Sequence, residues 1–310
     1  MKTYISIDKQ AHVEVNIRRE TKTKLSAGYR KKGCFLLLGA LLSAVLSLSA
    51  QATAKECAGI ISIEGRLLQG ALLSGRFVDA SAGDISFLNN KVPVSVDGVF
   101  MLGLGRDAPK TVQLRAASSS GVTCQQTFAV EQRDYNIQRV EGVPKKTVNP
   151  GPEYYQRIRA EAAAARKARA VRFDLPYYLQ NFQWPVTGPI SGVYGSQRYY
   201  NGTPRRPHYG VDIARPTGTP VLAPAAGVVT LAHDDMFFSG GTLILDHGQG
   251  LSSSFLHLSK LIVEVGQTIE QGQIIAEVGA SGRVTGPHLD WRMNWLDQRV
   301  DPQLLVPPMP

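Results

Sequence analysis

The sequence predicts a mainly all-β fold: a small antiparallel β domain, a helical linker, and a larger glycine-rich antiparallel β domain. Three observations lead there. Residues 55–144 alternate short apolar runs with glycine and small polar turns. Residues 152–173 hold an alanine-rich run opened by a proline. From 173 onward, β-branched segments recur between glycine-marked turns.

The chain of 310 residues begins with a basic extension. "RKK" at 30–32 precedes "CFLLLGALLSAVLSLSA", which ends in the small residues "AQATA". This order of basic, apolar and small residues predicts a signal peptide within 1–54, cleaved after Ala52 or Ala54. Left uncleaved, the same run would associate with the inner membrane through residues 34–50. The long polar stretch 1–29 fits either an upstream start codon or a cytoplasmic extension. Cys34 opens the apolar run and is not placed for lipidation.

The formal charge of +9 suggests nucleic acid only at first sight. Residues 1–54 carry +6 of it, leaving +3 on the other 256 residues. With no basic stripe interleaved with aromatics, a nucleic-acid partner is not expected.

In 55–144, "KVPVSVDGVFMLGLG" places Asp97-Gly98 between alternating segments, a hairpin signal. "TVQLRAASSSGVTCQQTFAVEQ" repeats the pattern around a small polar turn. Cys57 and Cys124 both fall here, and an even pair in an exported chain predicts a disulfide rather than two buried thiols. The stretch has no cluster of histidines, cysteines and carboxylates, which leaves it a binding or spacing role.

"VPKKTVNPGPEYY" reads as a linker, placing the linker and helix at 145–172. Pro152 and Glu153 suit a helix start, and the apolar stripe that follows is thin. Such a helix lies across another surface or bridges domains.

Five of the six histidines sit in 173–310. "HYGVDIA" sets His208 four residues before Asp212. On a straight strand they would lie about 13 Å apart, so they share an ion only if the segment bends, which Gly210 makes cheap. "HLD" puts His288 and Asp290 on one strand face under about 7 Å apart, with Leu289 turned to the packed side. His257 alternates with Leu256 and Leu258 and faces away from both. His247 sits at an expected turn, and His233 is expected in solvent. Each pattern alone is weak, and a solvated sheet face is the plainer reading of "HLD".

Together the blocks are more specific. "WPVTGPISGVYGSQR", "HYGVDIARPTGTPVLAPAAGVV", "ILDHGQGLSSSFLHLSKL" and "VGASGRVTGPHLDW" occur in that order. Over roughly 184–305 the sequence resembles the LytM/lysostaphin-type zinc endopeptidases of bacterial peptidoglycan. The β stretch and helix before it resemble the N-terminal part of some exported Gram-negative members. The resemblance implies one zinc ion per chain with His208 and Asp212 as ligands, and catalytic roles for His257 and His288. Its final motif is usually His-x-His, whose second histidine is the third ligand; here that place is held by Asp290. A carboxylate is a competent zinc ligand but shorter than imidazole, and it adds negative charge that Arg292 on the same face would partly neutralise. No His-Glu-x-x-His helix is present, which excludes the thermolysin arrangement.

The expected function is therefore a zinc-dependent endopeptidase acting on peptidoglycan stems or cross-links in the periplasm, with a regulatory protein as a further partner. The alternative is a LytM-type regulator that has lost catalysis and activates other wall hydrolases. A β adhesion module is a third reading, which the ordered blocks disfavour.

Overall fold

The computed structural model describes residues 56–310. The expected signal peptide or anchor in 1–54 lies outside them. Among the described residues no helix is long and apolar enough to cross a membrane.

The architecture is mostly antiparallel β, as expected. Strands Ile61–Glu64, Leu72–Phe77 and Val99–Gly103 form one small sheet. Asn90–Val92, Asp84–Phe87, Thr111–Ala117 and Thr123–Ala129 form a second, in that order. The period-two pattern sets their faces: Thr111–Ala117 buries Val112, Leu114 and Ala116 and exposes the residues between. Phe77 and Phe100 meet edge to face in the shared core. Asp97-Gly98 makes the expected tight turn, with Gly98 at φ 75° and its N–H donating to Ser95 O. A disulfide joins Cys57 to Cys124 across a sequence separation of 67.

Ile137–Val140 leaves these sheets and runs parallel to Gln197–Tyr200, in the one parallel pair among the described strands. After a single 3-10 turn at Pro152–Tyr154, the helix Tyr155–Ala170 follows. Only Ala168 of this helix is buried, which matches its thin apolar stripe. It lies against Gly227–Met236 and Gly240–Gly248. Glu161 accepts from Phe237 N at 2.8 Å, and Arg157 pairs with Asp235.

The large sheet has eight strands. Its path runs Thr268–Ile269, Gly227–Met236, Gly240–Gly248, Leu251–Leu258, His288–Trp295, Val211–Ala214 and Ile190–Gly192, with Gln298–Val300 also paired to His288–Trp295. Gly240–Gly248 and Leu251–Leu258 are buried at every position, so both faces of the sheet centre are covered. One face packs Leu243, Leu245, Phe255, Leu289, Trp291 and Trp295 into a core continuous with that of the small sheets. Trp295 meets Phe87 edge to face across this core. The other face is polar and carries the site.

Candidate metal centre

The central strand His288–Trp295 organises the site by its register. Asp290 stands opposite Asp212 on one side and Leu256 on the other. Leu289 is fully buried in the core, so alternation turns Asp290 to the opposite face. His208 precedes the strand Val211–Ala214, and the chain bends there as the four-residue spacing required. Its amide donates to Ser196 O and its carbonyl accepts from Gly195 N. Gly210 allows the close approach: a Cβ there would stand 2.5 Å from Asp290 Oδ1 and 2.6 Å from Arg292 Cγ.

His208 Nε2 lies 3.0 Å from Asp212 Oδ1 and 3.4 Å from Asp290 Oδ2. The three donor atoms fall within 4.8 Å of one another, and all three residues are buried. Zinc bonds of about 2.0–2.2 Å in a tetrahedron set neighbouring donors about 3.4 Å apart. His208 Nε2 and Asp212 Oδ1 have no hydrogen-bond partner despite their burial. Two such atoms facing one point are costly to bury unless a cation or proton is shared between them. One imidazole and two carboxylates therefore fit a divalent ion.

Two arginines offset the carboxylate charge. Arg198 Nη2 binds Asp212 Oδ2, while its Nε donates to Gln138 at 2.9 Å and its Nη1 to Tyr200 OH at 3.1 Å. Arg292 donates from Nε to Asp290 Oδ1 at 2.9 Å and from Nη2 to Oδ2 at 2.5 Å. Each ionised oxygen has more than one acceptor direction, so Oδ2 retains capacity toward His208. Burial opposes the charge on both acids, but their cationic neighbours win. Arg292 and His208 hold Asp290 well below the usual carboxylate range, and His208 and Arg198 bring Asp212 to about 2. Burial opposes charge on His208 too, yet the two carboxylates raise its pKa. The pocket thus draws positive charge to Nε2.

Two further imidazoles flank the cluster. His257 Nε2 is 4.0 Å from Asp290 Oδ2, and His288 Nε2 is 3.9 Å from Asp212 Oδ1. Their ring centroids are 4.9 Å apart. His257 Nδ1 faces Ser281 O at 2.8 Å, His288 Nδ1 faces Gly286 O at 2.9 Å, and His208 Nδ1 faces Val193 O at 3.3 Å. A carbonyl can only accept, so each Nδ1 carries a proton and each ring turns its Nε2 toward the cluster. Burial pushes His257 down to about 4, which keeps it neutral. His257 has φ 67°, a left-handed conformation uncommon for a non-glycine. Here two residues oppose one: Leu256 and His257 face Thr242 between the pairs Leu243–Phe255 and Gly241–Leu258. This bulge re-aims the ring, where simple alternation had only turned it away from the leucines.

The remaining histidines stay apart. His247 lies within the strand Gly240–Gly248 rather than at a turn. It is buried, with Nδ1 on Ala226 O and Nε2 on Ser253 Oγ. His233 is exposed. Arg198 was not singled out in the sequence: an arginine within "YGSQR" gives no sign of its partner until Asp212 is brought beside it.

A model of peptidase family M23 matches residues 206–302. The chain is also 30% identical to a Pseudomonas aeruginosa protein whose crystal structure is described as a peptidase M23. That likeness covers 78% of this chain and 96% of the other, with a TM-score of 0.62. The chain belongs to peptidase family M23. The matched M23 span contains all five residues of the cluster. Among curated relatives, peptidoglycan DD-endopeptidase ShyA of Vibrio cholerae is 39% identical over 105 residues, 34% of this chain and 24% of ShyA. Cell division protein DipM of Caulobacter vibrioides is 30% identical over 166 residues, 52% of this chain and 26% of DipM. This M23 chain spans about a quarter of the length of these curated relatives.

Proposed function

We propose that this M23 member is a zinc-dependent endopeptidase that hydrolyses peptide bonds of peptidoglycan stems or cross-links. The observation that carries the reading is the convergence of His208, Asp212 and Asp290, with unpartnered buried donor atoms, beside two imidazoles that present Nε2. The likeness to ShyA, a peptidoglycan DD-endopeptidase, supports peptidoglycan as the substrate class. A periplasmic location follows from that substrate and from the signal-like run in 1–54.

His208, Asp212 and Asp290 would hold the ion. Zinc bound there supplies Lewis acidity, polarising a carbonyl oxygen and acidifying water. His257 and His288 bring their Nε2 atoms to the same point, and His257 is held neutral by burial. One accepts a proton from the attacking water at Nε2 and returns it to the leaving amine. The imidazolium formed is held in orientation by its Nδ1–H bond to Ser281 O or Gly286 O. The second imidazole would orient that water through its Nε2.

A second reading rests on the Arg292 fork, which occupies both oxygens of Asp290. If that pair excludes the metal, the domain acts as a non-catalytic regulator of other wall hydrolases. Metal analysis of the purified chain with digestion of purified peptidoglycan separates the two. The endopeptidase reading expects about one zinc per chain and soluble fragments. His257→Ala and His288→Ala should each slow digestion about 10²–10⁴-fold while retaining zinc. Undiminished digestion by both variants would remove the catalytic assignment.

A further inference from the structure

The polar face of the sheet opens beside the metal cluster into a cavity of about 780 Å³. The helix Tyr155–Ala170 forms one wall with Ala162, Ala165, Arg166 and Arg169, and the sheet supplies Thr242, Ser254 and Asn294. The lining holds eight arginines against two aspartates, Asp290 and Asp297. Arg198 and Arg292 are matched by Asp212 and Asp290. Among the described residues, Arg169, Arg283 and Arg299 have no carboxylate within salt-bridge distance, although Arg283 and Arg299 are only partly exposed.

Two of the three are held in place by neutral groups. Arg283 stacks on Tyr200 at 4.8 Å and on Phe238 at 4.7 Å, and apart from one long bond from Nη1 to Thr147 O at 3.4 Å its planar edge of donors makes no hydrogen bond among the described residues. Arg299 donates one Nη1 bond to Asn294 at 2.8 Å. Arg169 projects from the helix into the same space. Burial and mutual repulsion push Arg169 down to about 10 and Arg299 to about 9. Crowded, desolvated guanidinium groups destabilise the fold unless an anion joins them. On the floor, Ser254 Oγ is buried without a hydrogen-bond partner, so a donor also awaits a ligand.

We propose that this cavity is the subsite that receives the carboxylates of the peptide substrate, with Arg169, Arg283 and Arg299 as the residues that select for them. The inference rests on the peptidase reading, since the cavity continues from the cluster where the bond would be cut. Planar guanidinium edges match carboxylates two bonds at a time, and fixed side chains lose little entropy on binding. The helix is then part of the specificity site, because it contributes Arg169 to the wall.

The test is calorimetric binding to the full exported chain, stripped of metal so that nothing is cleaved. One probe is a wall stem tetrapeptide with free carboxylates; the second is the same peptide with those groups amidated; the third is inorganic phosphate. The free-acid peptide should bind at least about tenfold more tightly than its amide. Arg169→Gln and Arg299→Gln should each shrink that ratio several-fold, and equimolar phosphate should not displace the peptide. Arg169 lies on a helix that buries only Ala168, so its variant remains informative if Arg299→Gln fails to fold. Equal binding of acid and amide, an unchanged ratio in Arg169→Gln, or displacement by phosphate would each overturn the subsite. If walls are not digested but the acid–amide ratio holds, the peptidase reading fails and the subsite stands. If walls are digested and amidation has no effect on binding, the subsite alone fails.

Discussion

Arg292 grips Asp290 with two parallel hydrogen bonds, Nε to Oδ1 at 2.9 Å and Nη2 to Oδ2 at 2.5 Å. Asp290 stands where a second histidine completes the usual motif, and a carboxylate at that place puts two buried negative charges side by side. Arg292 and Arg198 together balance them. The guanidinium therefore stabilises the pair and competes with any cation that approaches it.

Arg292→Ala follows from that competition. Breaking a buried, forked ion pair costs about 3–5 kcal/mol. Chelator-treated Arg292→Ala should lose that much stability in urea unfolding, and zinc should restore most of it. Its zinc affinity, measured against a competing chelator, should rise about tenfold or more because a repelling charge has gone. Weaker zinc binding would show that Arg292 orients Asp290 more than it opposes the ion.

Asp290→His puts an imidazole at the proposed third ligand place. The variant should keep or improve zinc retention during dialysis, since a neutral nitrogen ligand suits zinc. Clear loss of metal would mean that the backbone at 290 is set at carboxylate length, with Arg292 then left unpaired.

Asp246 gives a pH dependence away from the candidate metal centre. Its Oδ2 accepts from Phe173 N at 3.0 Å, yet burial raises its pKa to about 6. The unfolded value is near 3.9, so the folded state favours the protonated form. Its contribution is most favourable below about pH 4 and is lost as pH rises through about 6, a change of about 3 kcal/mol. Asp246→Asn should flatten the stability profile across that window. An unchanged slope in denaturant titrations at pH 4, 5, 6 and 7 would assign the effect elsewhere.

The disulfide Cys57–Cys124 closes a long loop in the N-terminal sheets. Chain entropy assigns such a closure about 4 kcal/mol. The double variant Cys57→Ala/Cys124→Ala should lose about that much in chemical unfolding. A change under about 1 kcal/mol would mean the unfolded chain is already confined by other contacts.

Much of the site was legible because its elements are local. Period two placed Leu289 in the core and Asp290 on the opposite face, and the Asp97-Gly98 turn could be read from two residues. His257 was less legible. Its direction comes from a bulge and a φ of 67°, which depend on how Gly241–Leu243 pairs across the sheet. Arg198 and Arg299 could not be read at all, because a buried arginine is defined by what the fold sets against it.

By itself, then, the sequence determined the β architecture, the hairpins and the alanine-rich helix, since each depends on residues close in the chain, while the candidate ligands His208, Asp212 and Asp290 came from the resemblance of its ordered blocks to a known family. Tertiary structure alone decided that Asp290 faces Asp212 in register, that Arg198 and Arg292 neutralise them, and that the helix Tyr155–Ala170 walls a cationic cavity. Charge balance and desolvation act through space between segments far apart in sequence, and only the folded packing sets those distances.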